Sequence, residues 1–337
     1  DVCSSDLMFE KSRFSGSNMK VMHKFMPLLA GLSVCAAQAA DWPTRPVRVM
    51  VPFAPGGTTD VIARIIAARM TEMSGQQWIV DNRPGAGGNL GAEIAARAAP
   101  DGYTLLMITA SQPIAATLFP NLNYDLLRDF APVGLLAYTP YVVLVNNSVA
   151  ATSVKELFAL AKAKPGALRY GSGGSGSPPH LAAEMLRSQH GIDMLHVPYK
   201  SIAPALTELA AGQIHVVIAV VSAALPLTAT GKARALAVTS AKRTSLAPDL
   251  PALAETLPGY ELTGWYGLAV PAGTPRDIIT RINVAGVQAV KSAAVQERLT
   301  ALGAEARTGT PAEFGAHLRA EIQRLGKAVR ESGARAE

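Results

Sequence analysis

From residue 47 onward, short and nearly continuous apolar runs alternate with longer stretches whose apolar residues recur at helical spacing. The first run, 47–53, is apolar on both faces, as a buried parallel strand requires. The segment 58–71 predicts a helix, because Ile62, Ile65, Ile66 and Met70 share one side. A strand over 78–80, a helix over 89–98, a strand over 103–109 and strands over 133–137 and 141–145 follow. The pattern restarts after Asn146-Asn147 with a helix over 153–163, where Ser153 and Glu156 offer a capping box. Strand 168–171, helix 179–189, strand 194–197, helix 203–211, and strands 215–221 and 233–239 come next. A late strand over 264–270 precedes helices that begin at Pro275 and Pro311; the last is amphipathic and is expected to pack across the first lobe.

Alternating β and α segments predict an α/β fold, a parallel sheet with helices on both faces. Two such runs with a late return predict two lobes, one formed by 41–142 plus 259–337 and the other by 143–258. The N-terminus stands apart from this pattern. Residues 1–18 begin Asp1-Val2-Cys3-Ser4-Ser5-Asp6-Leu7 and read as translated sequencing adapter rather than gene product. Residues 19–39 read as a secretory signal peptide: Lys20, His23 and Lys24 are basic, 25–36 is apolar, and Ala37-Gln38-Ala39 has the small-x-small cleavage pattern. The apolar run is shorter than the roughly 20 residues of a membrane span. Val34 before Cys35 speaks against a lipid anchor. With Cys3 and Cys35 removed, the exported chain carries no cysteine, which excludes disulfides and thiolate metal sites.

Hydrophobic residues make up 49% of the chain and charged ones 17%, enough for a packed core and too little charge for disorder. The net charge of +6 suits an anionic ligand. Lys and Arg are scattered singly, which argues against nucleic acid.

Candidate chemistry concentrates in three glycine-rich loops, each between a strand and a helix. Loop 1 runs from Phe53 through Pro55-Gly56-Gly57-Thr58 to Asp60, loop 2 from Asp81 through Gly85-Ala86-Gly87-Gly88 to Asn89, and loop 3 from Gly171 to His180. Glycine allows close approach of the backbone, and the following helix aims free N–H groups and its positive end at the loop. In open α/β sheets ligands bind at the carboxyl ends of strands, so loops 1 and 3, in different lobes, are placed to grip one anion from both sides. Tight turns and helix caps alone are the plainer reading of any one loop.

Sharper alternatives find less support. Gly171, Gly173 and Gly176 match G-x-G-x-x-G, but Asp193 opens the next strand instead of ending it, and Pro178-Pro179 occupies the packing point of the third glycine. His180 and Glu184 lie one helical turn apart without a second ligand pair, so no metal and no cofactor is expected. Ser172, Ser175 and Ser177 are candidate nucleophiles only if a base stands beside them; otherwise they are donors or caps. Donors abound and paired carboxylates do not recur, the balance of a carboxylate receptor rather than an enzyme.

The series Trp42-Pro43, Val51-Pro52-Phe53, Pro55-Gly56-Gly57 with Asp60, Asn82-Arg83-Pro84-Gly85-Ala86-Gly87-Gly88, Pro100-Asp101-Gly102-Tyr103, Asp129-Phe130-Ala131-Pro132, Tyr170-Gly171-Ser172, His180-Leu181, Val197-Pro198-Tyr199-Lys200, Trp265-Tyr266-Gly267-Leu268 and Pro271-Ala272-Gly273-Thr274-Pro275 resembles the tripartite tricarboxylate transporter substrate-binding proteins, the Bug receptors. The resemblance implies a type II periplasmic binding protein fold, a two-lobed Venus flytrap. It implies a monomeric periplasmic receptor that hands a small carboxylate to the membrane permease subunits of a secondary transporter, or reports it to a membrane sensor kinase. Carried over, Phe53, Gly56, Gly57, Thr58 and Asp60 form one jaw, Ser172, Gly173, Ser175, Gly176 and His180 the other, and Ser111 lies on the cleft floor. The chain departs from the family where an acidic residue usually follows Gly212-Gln213-Ile214, since His215 stands there, and where Phe-Asp usually follows, since Ile218-Ala219 stand there. The second change implies a more apolar wall and a plain carboxylate in preference to an amine-bearing ligand. Ser111-Gln112 also departs from the usual polar pair with His.

Overall fold

The computed structural model describes residues 42–335. The segments 1–18 and 19–39, and their readings as adapter and signal peptide, lie outside the described residues. Among those residues no helix is long and apolar enough to cross a membrane.

The first half of the chain builds β1 (Val47–Val51), α1 (Thr58–Ser74), β2 (Trp78–Asn82), α2 (Asn89–Ala96), β3 (Thr104–Thr109), α3 (Ser111–Leu118) and β4 (Phe130–Asn146). A second run follows: α4 (Val154–Ala163), β5 (Leu168–Ser172), α5 (Pro178–His190), β6 (Met194–Pro198), α6 (Ile202–Ala210), β7 (Val216–Val220), α7 (Val221–Ala229) and β8 (Ala233–Val238). The chain closes with β9 (Thr263–Pro271), α8 (Arg276–Lys291), α9 (Ala293–Ala301), the short β10 (Glu305–Ala306) and α10 (Pro311–Ser332).

The strand order is β2-β1-β3-β9-β4-β7-β5-β6, with β8 and β10 paired to β4 off this path. The sheet is mixed, which corrects the expectation of a parallel one. β1 pairs in parallel with β2 and β3, and β5 with β6 and β7, but β9 runs antiparallel to β3 and β4 antiparallel to β9, β7 and β8. The reason is β4. It is one strand of 17 residues where the sequence suggests two. Its pairing with β9 shifts register around Pro132/Gly134 and Leu135/Ala137, so bulges absorb the residues that break the apolar pattern. From Tyr141 on, β4 leaves β9 and pairs with β7, and from Val142 with β8. One strand thus pairs with β9 along its first part and with β7 and β8 along its second.

Three apolar clusters fill the interior. One lies under α1 and α8, with Val49, Ile62, Ile66, Met70 and Ile282. A second lies around α6 and β7, with Val142, Leu209, Ile214 and Val217. The largest joins the two halves: Ile114 and Leu118 of α3 and Leu325 and Val329 of α10 belong to the same cluster as Leu181 and Leu186 of α5. α10 therefore packs on both halves, beyond the single lobe expected of it. Its start carries a full capping box, with Thr310 Oγ1 accepting from Glu313 N at 3.2 Å and Glu313 accepting from Thr310 N at 2.7 Å. At α4, Ser153 does accept from Glu156 N at 3.3 Å, but the Glu156 carboxylate accepts instead from Thr152 N and its hydroxyl.

Candidate functional site

Loop 1 leaves the carboxyl end of β1 and enters α1, whose N-cap Gly57 offers no side chain, so the first N–H groups of that helix stay uncapped. The loop is braced from behind. Asp60, 3% exposed, accepts from Gly56 N at 2.9 Å, from Arg64 Nε at 3.0 Å and from Asn82 Nδ2 at 3.0 Å. Asn82, from the end of β2, also donates to the Phe53 carbonyl at 3.0 Å. Burial pushes the Asp60 carboxyl up, but the bonds from Arg64, Gly56 and Asn82 outweigh it and hold it below the usual carboxylate range.

Loop 3 leaves β5 and enters α5 on a different construction. Pro178 and Pro179 take the first two helical positions and carry no N–H, and Ser177 Oγ caps the third, His180 N, at 3.4 Å. Ser172 is fully buried; its hydroxyl accepts from Gly174 N at 3.1 Å and lies 2.7 Å from His196 Nε2. His180 Nδ1 accepts from Gly176 N at 3.3 Å. The rings of Tyr170, His196 and His180 stack in sequence, with centroids 4.7 and 4.4 Å apart, and Tyr170 donates to Glu184, which Arg187 clamps at 2.7 and 2.9 Å. Burial, then the neighbouring His196, holds His180 down at about 4. Among the described residues, the N–H groups of Gly173 and Ser175 are left without a protein partner.

Between these loops lies a cavity of about 780 Å³, within the usual range of ligand sites. Of the expected site residues, Phe53, Gly56, Gly57, Thr58, Ser111, Gly173 and Ser175 line it. Asp60, Ser172, Gly176 and His180 do not; they stand behind the wall and fix the loops that form it. Gly176 also lets loop 3 approach α3, since a Cβ there would come within 3.1 Å of Leu118 and 3.2 Å of Phe119. Loop 2 contributes Pro84 to Gly88 to the wall.

The structure adds lining residues that the loop pattern misses: Phe119, Tyr141, Tyr199, Lys200, Ile202, Leu206, Val220, Ala223, Trp265 and Tyr266. Most are apolar positions in strands and helices, indistinguishable in sequence from core. Ala219 is fully buried in the interior, and the wall at this point is Val220, one residue further along β7. Lys200 is the one charged side chain among the residues lining the cavity. Asp193, the acid that a dinucleotide site needs, pairs with Arg187 at 3.3 Å. The spacing of Ser172 and His196 suits a nucleophile and its base, but a hydroxyl that is sealed in and already accepts from Gly174 has no access to a ligand.

Comparison with known proteins matches this architecture. The model of the tripartite tricarboxylate transporter family receptor, TctC, matches residues 62–334. The chain is 36% identical over 311 residues to protein BugT of Bordetella pertussis, covering 91% of this chain and 95% of BugT. Among solved structures, R. palustris Rpa4515 with adipate is 38% identical at a TM-score of 0.83, covering 88% of this chain and all (100%) of that one. MatC of Rhodopseudomonas palustris with bound malate is 34% identical at a TM-score of 0.79, covering 85% and 99%. The chain shares the two-lobed fold of these structures and belongs to the tripartite tricarboxylate transporter receptor family, the Bug receptors.

Proposed function

We propose that this chain is a periplasmic solute receptor that closes its two lobes, 41–142 plus 259–337 and 143–258, on a small carboxylate and delivers it to the membrane permease of a tripartite tricarboxylate-type transporter. One observation carries the reading. The cavity wall brings together uncapped N–H groups of loop 1 and unpaired N–H groups of loop 3, with one lysine and no carboxylate among its lining residues. Such a wall stabilises an anion and gives a cation no counter-charge. The adipate and malate of the two structural relatives are both carboxylates. The expected jaw residues keep two roles: Phe53, Gly56, Gly57, Thr58, Gly173 and Ser175 meet the ligand with Ser111 on the floor, and Asp60, Ser172, Gly176 and His180 hold the loops in shape. The burial of the Ser172–His196 pair away from the cavity wall favours a receptor over an enzyme, working as a monomer exported by its signal peptide.

The test is a set of melting curves with dicarboxylates, monocarboxylates and their amides. A ligand at about 100 times its Kd stabilises the native state by roughly 2.7 kcal/mol. A shift with acids and none with the matching amides is expected. Equal shifts with acid and amide, or none with any acid after bound ligand has been stripped by unfolding and refolding, would contradict the proposal.

A further inference from the structure

Two tyrosines line the cavity from strands, outside the three loops. Tyr141 sits where β4 leaves β9 and begins to pair with β7. Tyr266 lies on β9, opposite Thr109 of β3 on one side and Ala137 of β4 on the other. Both line the cavity, and both are more than nine-tenths buried, at 6% and 4% exposure. Gly264, itself on the wall, makes room for the first: a Cβ there would come within 2.8 Å of the Tyr141 hydroxyl.

What sets this pair apart is hydrogen bonding. The other deeply buried tyrosines have partners: Tyr124 donates to Asn89 at 2.9 Å, Tyr260 to the Ala182 carbonyl at 2.9 Å, and Tyr170 to Glu184. Trp265, beside Tyr266, donates to Glu321 at 2.9 Å. Among the described residues, neither the Tyr141 nor the Tyr266 hydroxyl has a partner, and neither is sealed inside protein. Ser111, two residues beyond Thr109 and also on the wall, has a hydroxyl in the same state. A hydroxyl that faces a cavity costs free energy when a ligand displaces its water and offers no acceptor in return. Of the five deeply buried tyrosines among the described residues, the two whose hydroxyls have no protein partner are the two that line the cavity, so their acceptor falls to a group on the ligand.

The chemistry of that group follows from its surroundings. Burial, and for Tyr141 also the neighbouring Tyr266, pushes both phenols up, so they stay protonated and donate. Leu206, Val220 and Ala223 make part of the lobe-2 wall apolar, and no carboxylate stands among the lining residues to pair with an ammonium group. We propose that Tyr141 and Tyr266 form a second polar subsite, and that the ligand is an acid carrying an oxygen acceptor at its far end and no ammonium group. This rests on the carboxylate reading of loops 1 and 3 and adds the second contact that reading lacks.

The experiment compares acids matched in length. Succinate, glutarate, adipate, pimelate and terephthalate are titrated calorimetrically against butyrate, pentanoate, hexanoate, heptanoate and benzoate, using the full exported chain, Tyr141→Phe and Tyr266→Phe. At least one diacid is expected to bind about tenfold or more tighter than its mono-acid. Each substitution is expected to remove most of that gain, to leave mono-acid affinity within about twofold, and to leave the unliganded melting temperature unchanged or raised. Norleucine is expected to bind more weakly than hexanoate. Mono-acids binding as tightly as every diacid would overturn the subsite while leaving the carboxylate reading intact. So would a gain that survives both substitutions, or an unliganded Tm that falls markedly on loss of a hydroxyl. Failure of every acid to bind removes the carboxylate reading and the subsite with it.

Discussion

Loops 1 and 3 look alike in sequence, each a glycine-rich turn from a strand into a helix, yet they are built to opposite plans. Loop 1 leaves the N-terminus of its helix uncapped and is held from behind by one carboxylate, Asp60. Loop 3 gives its helix two prolines and a serine cap, so its N–H groups come from the loop backbone at Gly173 and Ser175 and not from the helix. Its support is a buried stack of rings with Ser172 and His180 bonded back to the loop. The glycine pattern reports that the backbone turns closely. It does not report which donors remain free, because that depends on what caps them.

The comparison can be broken from either side. Asp60→Ala removes the brace of loop 1, leaving Gly56 N, Arg64 and Asn82 without their acceptor. A loss of about 3 kcal/mol is expected in urea unfolding, reduced where solvent replaces the bond to exposed Arg64, with acid binding weakened about a hundredfold. Asp60→Asn should recover part of both.

Loop 3 should instead be sensitive to pH. The fold holds His180 down at about 4 against its ordinary 6.5, so the unfolded chain takes the proton first. Its contribution to stability is complete above pH 6.5 and declines as pH falls towards 4. Glu184, Arg187 and His196 face the same ring. The stability difference between about pH 7 and about pH 4.5 should shrink by about 2 kcal/mol in His180→Asn relative to the native chain. Equal slopes in the two proteins would contradict a His180 held neutral by burial and by His196.

A smaller effect, about 1–2 kcal/mol in stability, is expected for Ser172→Ala, which removes the hydroxyl that accepts from Gly174 N and bonds to His196 Nε2. The smallest is expected at Lys200, which is exposed at the cavity. Lys200→Ala should weaken acid binding by less than about 1 kcal/mol, and raised salt should abolish the difference. A large, salt-independent loss would move the principal anion contact from the loops to this side chain.

How much of this was legible in the sequence varied with the kind of signal. The apolar runs at β1, β3 and β7 and the helical spacing of α1 were legible because burial dictates them. α3 and α7 were not, since Pro113 and Pro226 lie within them and read as breakers. β4 read as two strands because Pro132, Gly134 and Pro140 interrupt its pattern, and only its pairing with β9 shows how bulges accommodate the first two. The loops of the site were legible from glycine, but Asp60 and His180 were expected at the wall and stand behind it. A motif fixes a position along the chain; the direction of a side chain depends on partners such as Asn82 and Gly176. Tyr141 and Tyr266 were illegible as site residues, because an aromatic residue in a buried strand is ordinary core until its hydroxyl is found without a partner.

The central claim is that both loops hold one carboxylate through their backbone. Amide NMR resolves it most directly, following the N–H groups of Thr58 and Thr59 in loop 1 and of Gly173 and Ser175 in loop 3 as adipate is added. The account predicts that both sets shift together along one binding curve and become protected from solvent exchange, while adipamide moves neither. Shifts confined to one loop, or the same response to adipamide, would contradict it.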